Sequence, residues 1–190
     1  MRARYARTTI DLGTGDGRVV CARAADDATC FAIGIDAARE PLRTASRKAP
    51  ANALFIIANV AALPRALNGI ASAVTIFFPH GSLLELLCGE GCGMETVAAV
   101  MLPGATLGVL LNAGAFGDSG LAFDDGITRV LGALRRSRFR LLETVSLDAS
   151  TLRCSPTTWG RRLAFGRDPR AISIRAWTEA VPDRGQAGAS

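Results

Sequence analysis

Short apolar runs alternate along the chain with longer stretches in which apolar residues recur every three or four positions. Glycine, proline, asparagine or aspartate closes each run. Apolar runs of strand length, alternating with stretches of helical period, predict a mostly parallel sheet flanked by helices. Strands are expected at about 8–12, 29–35, 53–58, 73–78, 105–111, 139–145 and 170–177, seven in all, with helices at about 18–25, 39–47, 82–88, 94–100 and 127–135 and a short turn after Pro64. The fourth strand, Ala73-Val74-Thr75-Ile76-Phe77-Phe78, is almost wholly apolar, which places it at the centre of the sheet with both faces buried. Residues 114–126 and 149–158 read as loops, and the Gly, Ala and Ser content of 181–190 reads as a flexible tail. At 190 residues the chain suits one domain, spanning 1–180, ahead of that tail.

The clearest local chemistry follows the first strand, in Asp11-Leu12-Gly13-Thr14-Gly15-Asp16-Gly17-Arg18. Glycines there let the backbone turn sharply and approach a ligand, and the helix that follows offers free N–H groups. A dinucleotide site would carry G-x-G-x-x-G, with glycine where Arg18 stands. The spacing here is instead G-x-G-x-G behind an acid, which resembles motif I of the methyltransferases. Asp36 closes the second strand, 21 positions after Gly15, where one carboxylate can accept from both hydroxyls of a ribose. By the methyltransferase pattern Asp11 meets the amino acid end of the cosubstrate, Gly13 and Gly15 shape the floor, and Ala58-Asn59-Val60-Ala61 passes the adenine. A nicotinamide-dependent oxidoreductase is disfavoured by the glycine spacing and by the absence of a Tyr-x-x-x-Lys pair, since Tyr5 is the only tyrosine.

Charge sharpens the picture. The formal net charge is +5, no Lys or Arg lies between Arg65 and Arg129, and eleven arginines then follow from Arg129 to Arg175 against Glu143, Asp148 and Asp168. Such a segment suits a phosphate-rich partner. The alternative is a solvated surface in a chain that uses Arg for Lys, Lys48 being the only lysine. No apolar run reaches the roughly 18 residues of a membrane span, and no apolar core follows the first residues as in a signal peptide. Five scattered cysteines read as reduced thiols of a cytoplasmic protein. Cys88 and Cys92 stand four apart, but with one histidine in the chain no metal site is expected.

Two further segments, Phe77-Phe78-Pro79-His80-Gly81-Ser82-Leu83-Leu84-Glu85 and Thr157-Thr158-Trp159-Gly160-Arg161-Arg162-Leu163-Ala164-Phe165-Gly166-Arg167, carry a more specific likeness. With the glycine turn they resemble the 16S rRNA (adenine(1408)-N1)-methyltransferases that confer aminoglycoside resistance, over roughly residues 8–177. The resemblance implies a Rossmann-like class I fold and S-adenosyl-L-methionine as cosubstrate. The implied substrate is 16S rRNA in the 30S subunit, met by a monomer. The target adenine must be flipped out before its N1 is reachable. N1 attacks with an in-plane lone pair, so no general acid or base is expected, and alignment does the work.

By the family pattern Trp159 stacks on the flipped adenine, and the Pro79 carbonyl and Thr157 hydroxyl hold its exocyclic amine. Arg162 and Arg167 meet the rRNA backbone, with Arg161 and Arg170 as weaker contacts. Where the family has a second stacking tryptophan this chain has His80, which can either stack on the base or cap the next helix. Where the family often has an acid near the cosubstrate it has Ala61. An additional N-terminal hairpin, usual in the family, is not evident, and the loop after the fifth strand looks short. These departures keep open a same-fold methyltransferase acting on another RNA position or a small molecule, and a catalytically weak homologue that only binds S-adenosylmethionine or RNA.

Overall fold

The computed structural model describes residues 5–91, 93–155 and 157–179; the expected tail at 181–190 and Cys92 lie outside the described residues. Seven strands form one sheet: β1 (Arg7–Leu12), β2 (Cys30–Asp36), β3 (Ala53–Ile57), β4 (Ala71–Phe77), β5 (Met101–Asn112), β6 (Phe139–Leu147) and β7 (Ala171–Thr178). Their order is β3-β2-β1-β4-β5-β7-β6. The first five are parallel, and β7 alone runs against its neighbours β5 and β6. β4 sits in the middle, with Val74 and Ile76 fully buried, as its apolar sequence predicts.

Eight helices join the strands among the described residues. They are α1 (Arg18–Asp26), α2 (Arg39–Ser46), α3 (Ser82–Leu87), α4 (Gly93–Val100), α5 (Ala113–Asp118), α6 (Phe123–Arg136), α7 (Ala149–Arg153) and α8 (Thr158–Leu163). From β1 the chain steps outward to β2 and β3, then returns and steps the other way through β4 and β5. Because parallel crossovers are right-handed, that reversal puts α1 and α2 on one face and α4 and α6 on the other. It also opens a crevice beyond the carboxyl ends of β1 and β4, the usual ligand position in such sheets. β6 points the same way as β1 and β7 points back, so the segment between them, holding α7 and α8, starts and finishes at that crevice.

The main core joins Ile10, Leu12, Ile33, Ile35, Val74 and Ile76 of the sheet to Leu84, Leu87, Val97 and Leu134 of the helices. A separate small cluster of Phe78, Leu152, Leu163 and Ala171 fastens α7 and α8 to the end of β4.

Several expectations need correction. Residues 114–126 are not a loop: α5 and the start of α6 occupy them. The Ala-Gly-Ala-Phe-Gly-Asp sequence of α5 is a poor helix former, but Phe116 is fully buried and tertiary packing overrides propensity. Residues 149–158 hold α7 and the first residue of α8. Asp148 Oδ1 accepts from the Thr151 N–H at 2.8 Å, and Thr157 Oγ1 accepts from the Gly160 N–H at 2.9 Å, so each short helix has a side-chain cap. The charge-assisted cap holds the Asp148 carboxyl down at about 2. β5 begins four residues early and passes through Pro103 and Gly104 at a register shift against β4. The turn after Pro64 forms as a 3-10 helix at Arg65–Leu67.

Candidate active site

The glycine turn leaves β1 with Gly13 at φ +73° and Gly15 at φ +55°, both left-handed. A Cβ on Gly13 would also lie 2.6 Å from Leu83 Cδ2, whereas a Cβ on Gly15 would meet nothing within 4 Å, because it faces the open crevice. The Gly15 N–H donates to Asp36 Oδ2 at 2.8 Å and the Ala38 N–H to Oδ1 at 2.8 Å. Two backbone donors thus fix the carboxylate at the end of β2, and each oxygen keeps acceptor capacity for a ligand.

Two cavities open here. The first, about 300 Å³, is lined by Gly13 and Asp36, by Ala58, Asn59 and Val60 after β3, and by Phe78, Pro79, His80 and Leu83. Asn59 caps the 3-10 turn Val60–Ala62 by accepting from the Ala61 N–H at 2.9 Å, which sets the shape of that wall. The second, about 400 Å³, is lined by Asp11, Gly13, Gly15, Asp16 and Arg18 on one side and by Thr157, Thr158, Trp159 and Arg162 on the other. Gly13 and Phe78 border both.

Asp11 lies at the back of the second cavity and is 3% exposed. Burial pushes its carboxyl above the usual carboxylate range, against the opposing pull of the Thr75 hydroxyl, which donates to Oδ1 at 2.5 Å. Phe78 is the one residue other than glycine with positive φ among the described residues, at +51°. Its buried ring belongs to the small cluster under α7 and α8, and this anchor holds the strained backbone. Nothing in the sequence marks Phe78 for this role beyond the proline after it.

On the far wall, residues 158, 159 and 162 share one side of α8 by helical spacing, which turns Thr158, Trp159 and Arg162 toward the second cavity. Trp159 is 46% exposed, unusual for tryptophan, and meets His80 edge to face with ring centroids 5.3 Å apart and planes at 88°. His80 does not cap α3: Gly81 precedes that helix and no side-chain cap bond forms. The capping expectation is therefore wrong, and the imidazole stands at the cavity mouth, perpendicular to the indole.

The arginines divide. Arg162 lines the second cavity. Arg161 donates to the Ser155 carbonyl at 3.1 Å and Arg167 is exposed. Arg170 is bound to Asp168 through Nε at 2.9 Å and Nη2 at 2.7 Å, and its guanidinium lies 5.3 Å from the Phe123 ring centre. Within the arginine-rich segment Arg140 and Arg175 are likewise paired, with Glu179 and Glu143. The uncompensated positive charge therefore lies around α8 more than on the β6–β7 hairpin. Among the described residues no group of three His, Cys, Asp or Glu could hold a metal, and no helix is long and apolar enough to cross a membrane.

Gly160 lets α8 sit close to its own cap. A Cβ there would lie 2.2 Å from Ser155 Oγ and 2.9 Å from Thr157 Oγ1. Gly160→Ala is accordingly expected to displace Trp159 and lower methyl transfer by about tenfold or more while leaving affinity for an adenosine-only ligand such as 5′-methylthioadenosine within about twofold, since the first cavity lies on other elements. Steady-state rates beside calorimetric titration check this; an equal loss in both would mean that the whole site collapses.

Asp36, the residues after β3 and the glycine turn thus line one cavity, and a second, sharing Gly13 and Phe78, lies beside it. The profile of the family described as NpmA, 16S rRNA (adenine(1408)-N(1))-methyltransferase, matches residues 1–178. The chain belongs to this family. A 16S rRNA (adenine(1408)-N(1))-methyltransferase from Escherichia coli is 30% identical over 183 residues, covering 86% of this chain and 84% of the relative. Among solved structures, the aminoglycoside resistance methyltransferase NpmB1 superposes with a TM-score of 0.73 at 28% identity, over 93% of this chain and 89% of that one. A tryptophan mutant of the enzyme from Catenulisporales acidiphilia, solved with cosubstrate SAM, gives a TM-score of 0.77 at 21% identity, over 96% and 90%, and speaks for the fold alone. The chain is thus a methyltransferase of the class I fold that uses S-adenosylmethionine, as its motifs imply.

Proposed function

We propose that this methyltransferase transfers a methyl group from S-adenosylmethionine to N1 of adenine 1408 in the 16S rRNA of the 30S subunit, and that the modified ribosome resists aminoglycosides. The observation carrying this reading is the exposed Trp159 in the wall of the cavity beside the one at Asp36, with Arg161 and Arg162 on the same helix. The protein works in the cytoplasm as a monomer and needs no metal.

Bound S-adenosylmethionine supplies an electrophilic methyl carbon on a sulfonium. Asp36 holds the ribose, Asn59 and Val60 flank the adenine of the cosubstrate, and Gly13 and Gly15 let the backbone pass beneath it. Asp11 faces the amino acid end. Trp159 offers a platform for the flipped base, worth about 1–3 kcal/mol by stacking. The Pro79 carbonyl and the Thr157 hydroxyl accept from its exocyclic amine and so fix N1 toward the methyl carbon. Thr157 Oγ1 already accepts from Gly160 N and lies 3.1 Å from Ser155 Oγ; with its proton donated to Ser155, a second lone pair serves this role. His80 must turn from its edge-on position to cover the second face of the base. The exposed Arg161 and Arg167 take up the rRNA backbone. Arg170 contributes less, being already paired with Asp168.

The edge-on His80 favours a second reading, in which the same fold methylates another RNA position or a small molecule. Incubation with radiolabelled S-adenosylmethionine and 30S subunits, then reverse transcription across the decoding site, separates the two. A stop at adenine 1408 is expected. Label elsewhere in the rRNA, or none despite cosubstrate binding, would overturn the assignment.

A further inference from the structure

The family pattern sends Arg162 to the rRNA backbone, but in the structure this exposed residue also lines the second cavity. We infer that Arg162 binds the α-carboxylate of the cosubstrate's methionyl end. The inference rests on reading the two cavities as the S-adenosylmethionine site.

With the ribose at Asp36, the nucleoside must leave the first cavity past Gly13 and Phe78, the residues common to both, and its amino acid end then occupies the second cavity. That end is a zwitterion, with one ammonium and one carboxylate. Four charged side chains line the receiving cavity: Asp11, Asp16, Arg18 and Arg162. Asp16 and Arg18 answer each other, with Nε and Oδ2 3.1 Å apart. The buried Asp11 carboxyl, which also feels the Arg23 charge, and Arg162 are left, one acid and one base for the two ends of the zwitterion. Among the described residues no carboxylate pairs with Arg162, whereas Arg170, Arg175 and Arg140 each have one. A guanidinium facing a carboxylate in a partly enclosed site forms a strong, geometrically selective pair, often with two parallel bonds.

The placement has a mechanical side. Arg162 lies one turn from Thr158 and three residues from Trp159 on a helix only six residues long. A carboxylate gripped by Arg162 therefore steadies the helix that presents the stacking surface. Cosubstrate binding then prepares the platform for the target base.

The test uses two ligands that share the adenosine and the thioether and differ in the amino acid end. S-adenosylhomocysteine keeps the amino acid end, and 5′-methylthioadenosine keeps the adenosine and thioether but lacks it. Calorimetric titration of the full chain and of Arg162→Gln is expected to show S-adenosylhomocysteine weakened by about 10- to 100-fold, in the range for a lost charged hydrogen bond. Affinity for 5′-methylthioadenosine should stay within about twofold, and Arg162→Lys should recover part of the loss. Unchanged affinity for S-adenosylhomocysteine would overturn the inference. Equal weakening of both ligands would overturn it too, because the residue would then act on the adenosine site. No RNA enters these titrations, so an error in the rRNA assignment leaves their outcome untouched.

Discussion

Trp159→Ala is expected to cut methylation of 30S subunits by about 10- to 100-fold while the affinity for S-adenosylhomocysteine stays within about twofold. The indole is 46% exposed and packs edge-on with His80, so its removal opens no large core cavity and the fold should survive. What is lost is a surface for the flipped adenine. Unstacking a base from its helix costs a few kcal/mol, and an aromatic platform returns about 1–3 kcal/mol of it. Without it the extruded state is too rarely populated for N1 to meet the methyl carbon. Single-turnover rates on 30S subunits, with phenylalanine at 159 as a partial rescue, measure this directly. A variant that keeps the full rate would exclude stacking on Trp159.

Asp36→Ala should act at the other end of the site, weakening S-adenosylmethionine by about 100-fold or more. Two hydroxyls of a ribose would each lose a charged acceptor worth about 1.5–3 kcal/mol. The same carboxylate also receives the N–H groups of Gly15 and Ala38, so its loss loosens the glycine turn itself. The expected signature differs from that of Trp159: adenosine-containing ligands of every kind weaken together, and saturating cosubstrate restores part of the rate. Titration with 5′-methylthioadenosine checks it, and retained affinity would move the ribose elsewhere.

Much of this architecture can be read from apolar periodicity because strands buried on both faces leave continuous apolar runs. β4 is the clearest example, since Val74 and Ile76 are buried and its neighbours on both sides are strands. The glycine turn was equally legible, as left-handed backbone at Gly13 and Gly15 allows few substitutes. Three of the four shortest helices were not, whereas α3, equally short, shows in the apolar pattern of Ser82–Leu87. α5, α7 and α8 hold five or six residues each, too few to show a full amphipathic repeat, and their polar or glycine-rich sequences mimic loops.

Side-chain orientation was hidden for a different reason. Asp168 and Arg170 stand two apart in the chain, and only the turn that brings them together decides that the guanidinium is already engaged. Arg161 and Arg162 are adjacent in sequence, yet helical geometry sends one to the Ser155 carbonyl and the other to the cavity. For His80, sequence left stacking and capping open; the glycine at the start of α3 removes capping, and the indole fixes where the ring now stands.

An antiparallel hairpin such as β6–β7 can be closed by two residues, but here the chain spends 148–170 on the connection. Lengthening a connection is cheap, about 0.6 kcal/mol per doubling, and the strands on either side stay in register regardless. The insert is in effect an exchangeable head on a fixed handle. Target choice can diverge there by insertion, deletion or grafting while the sheet that grips the methyl donor keeps its geometry, so a family built this way can acquire new nucleic-acid targets without refolding.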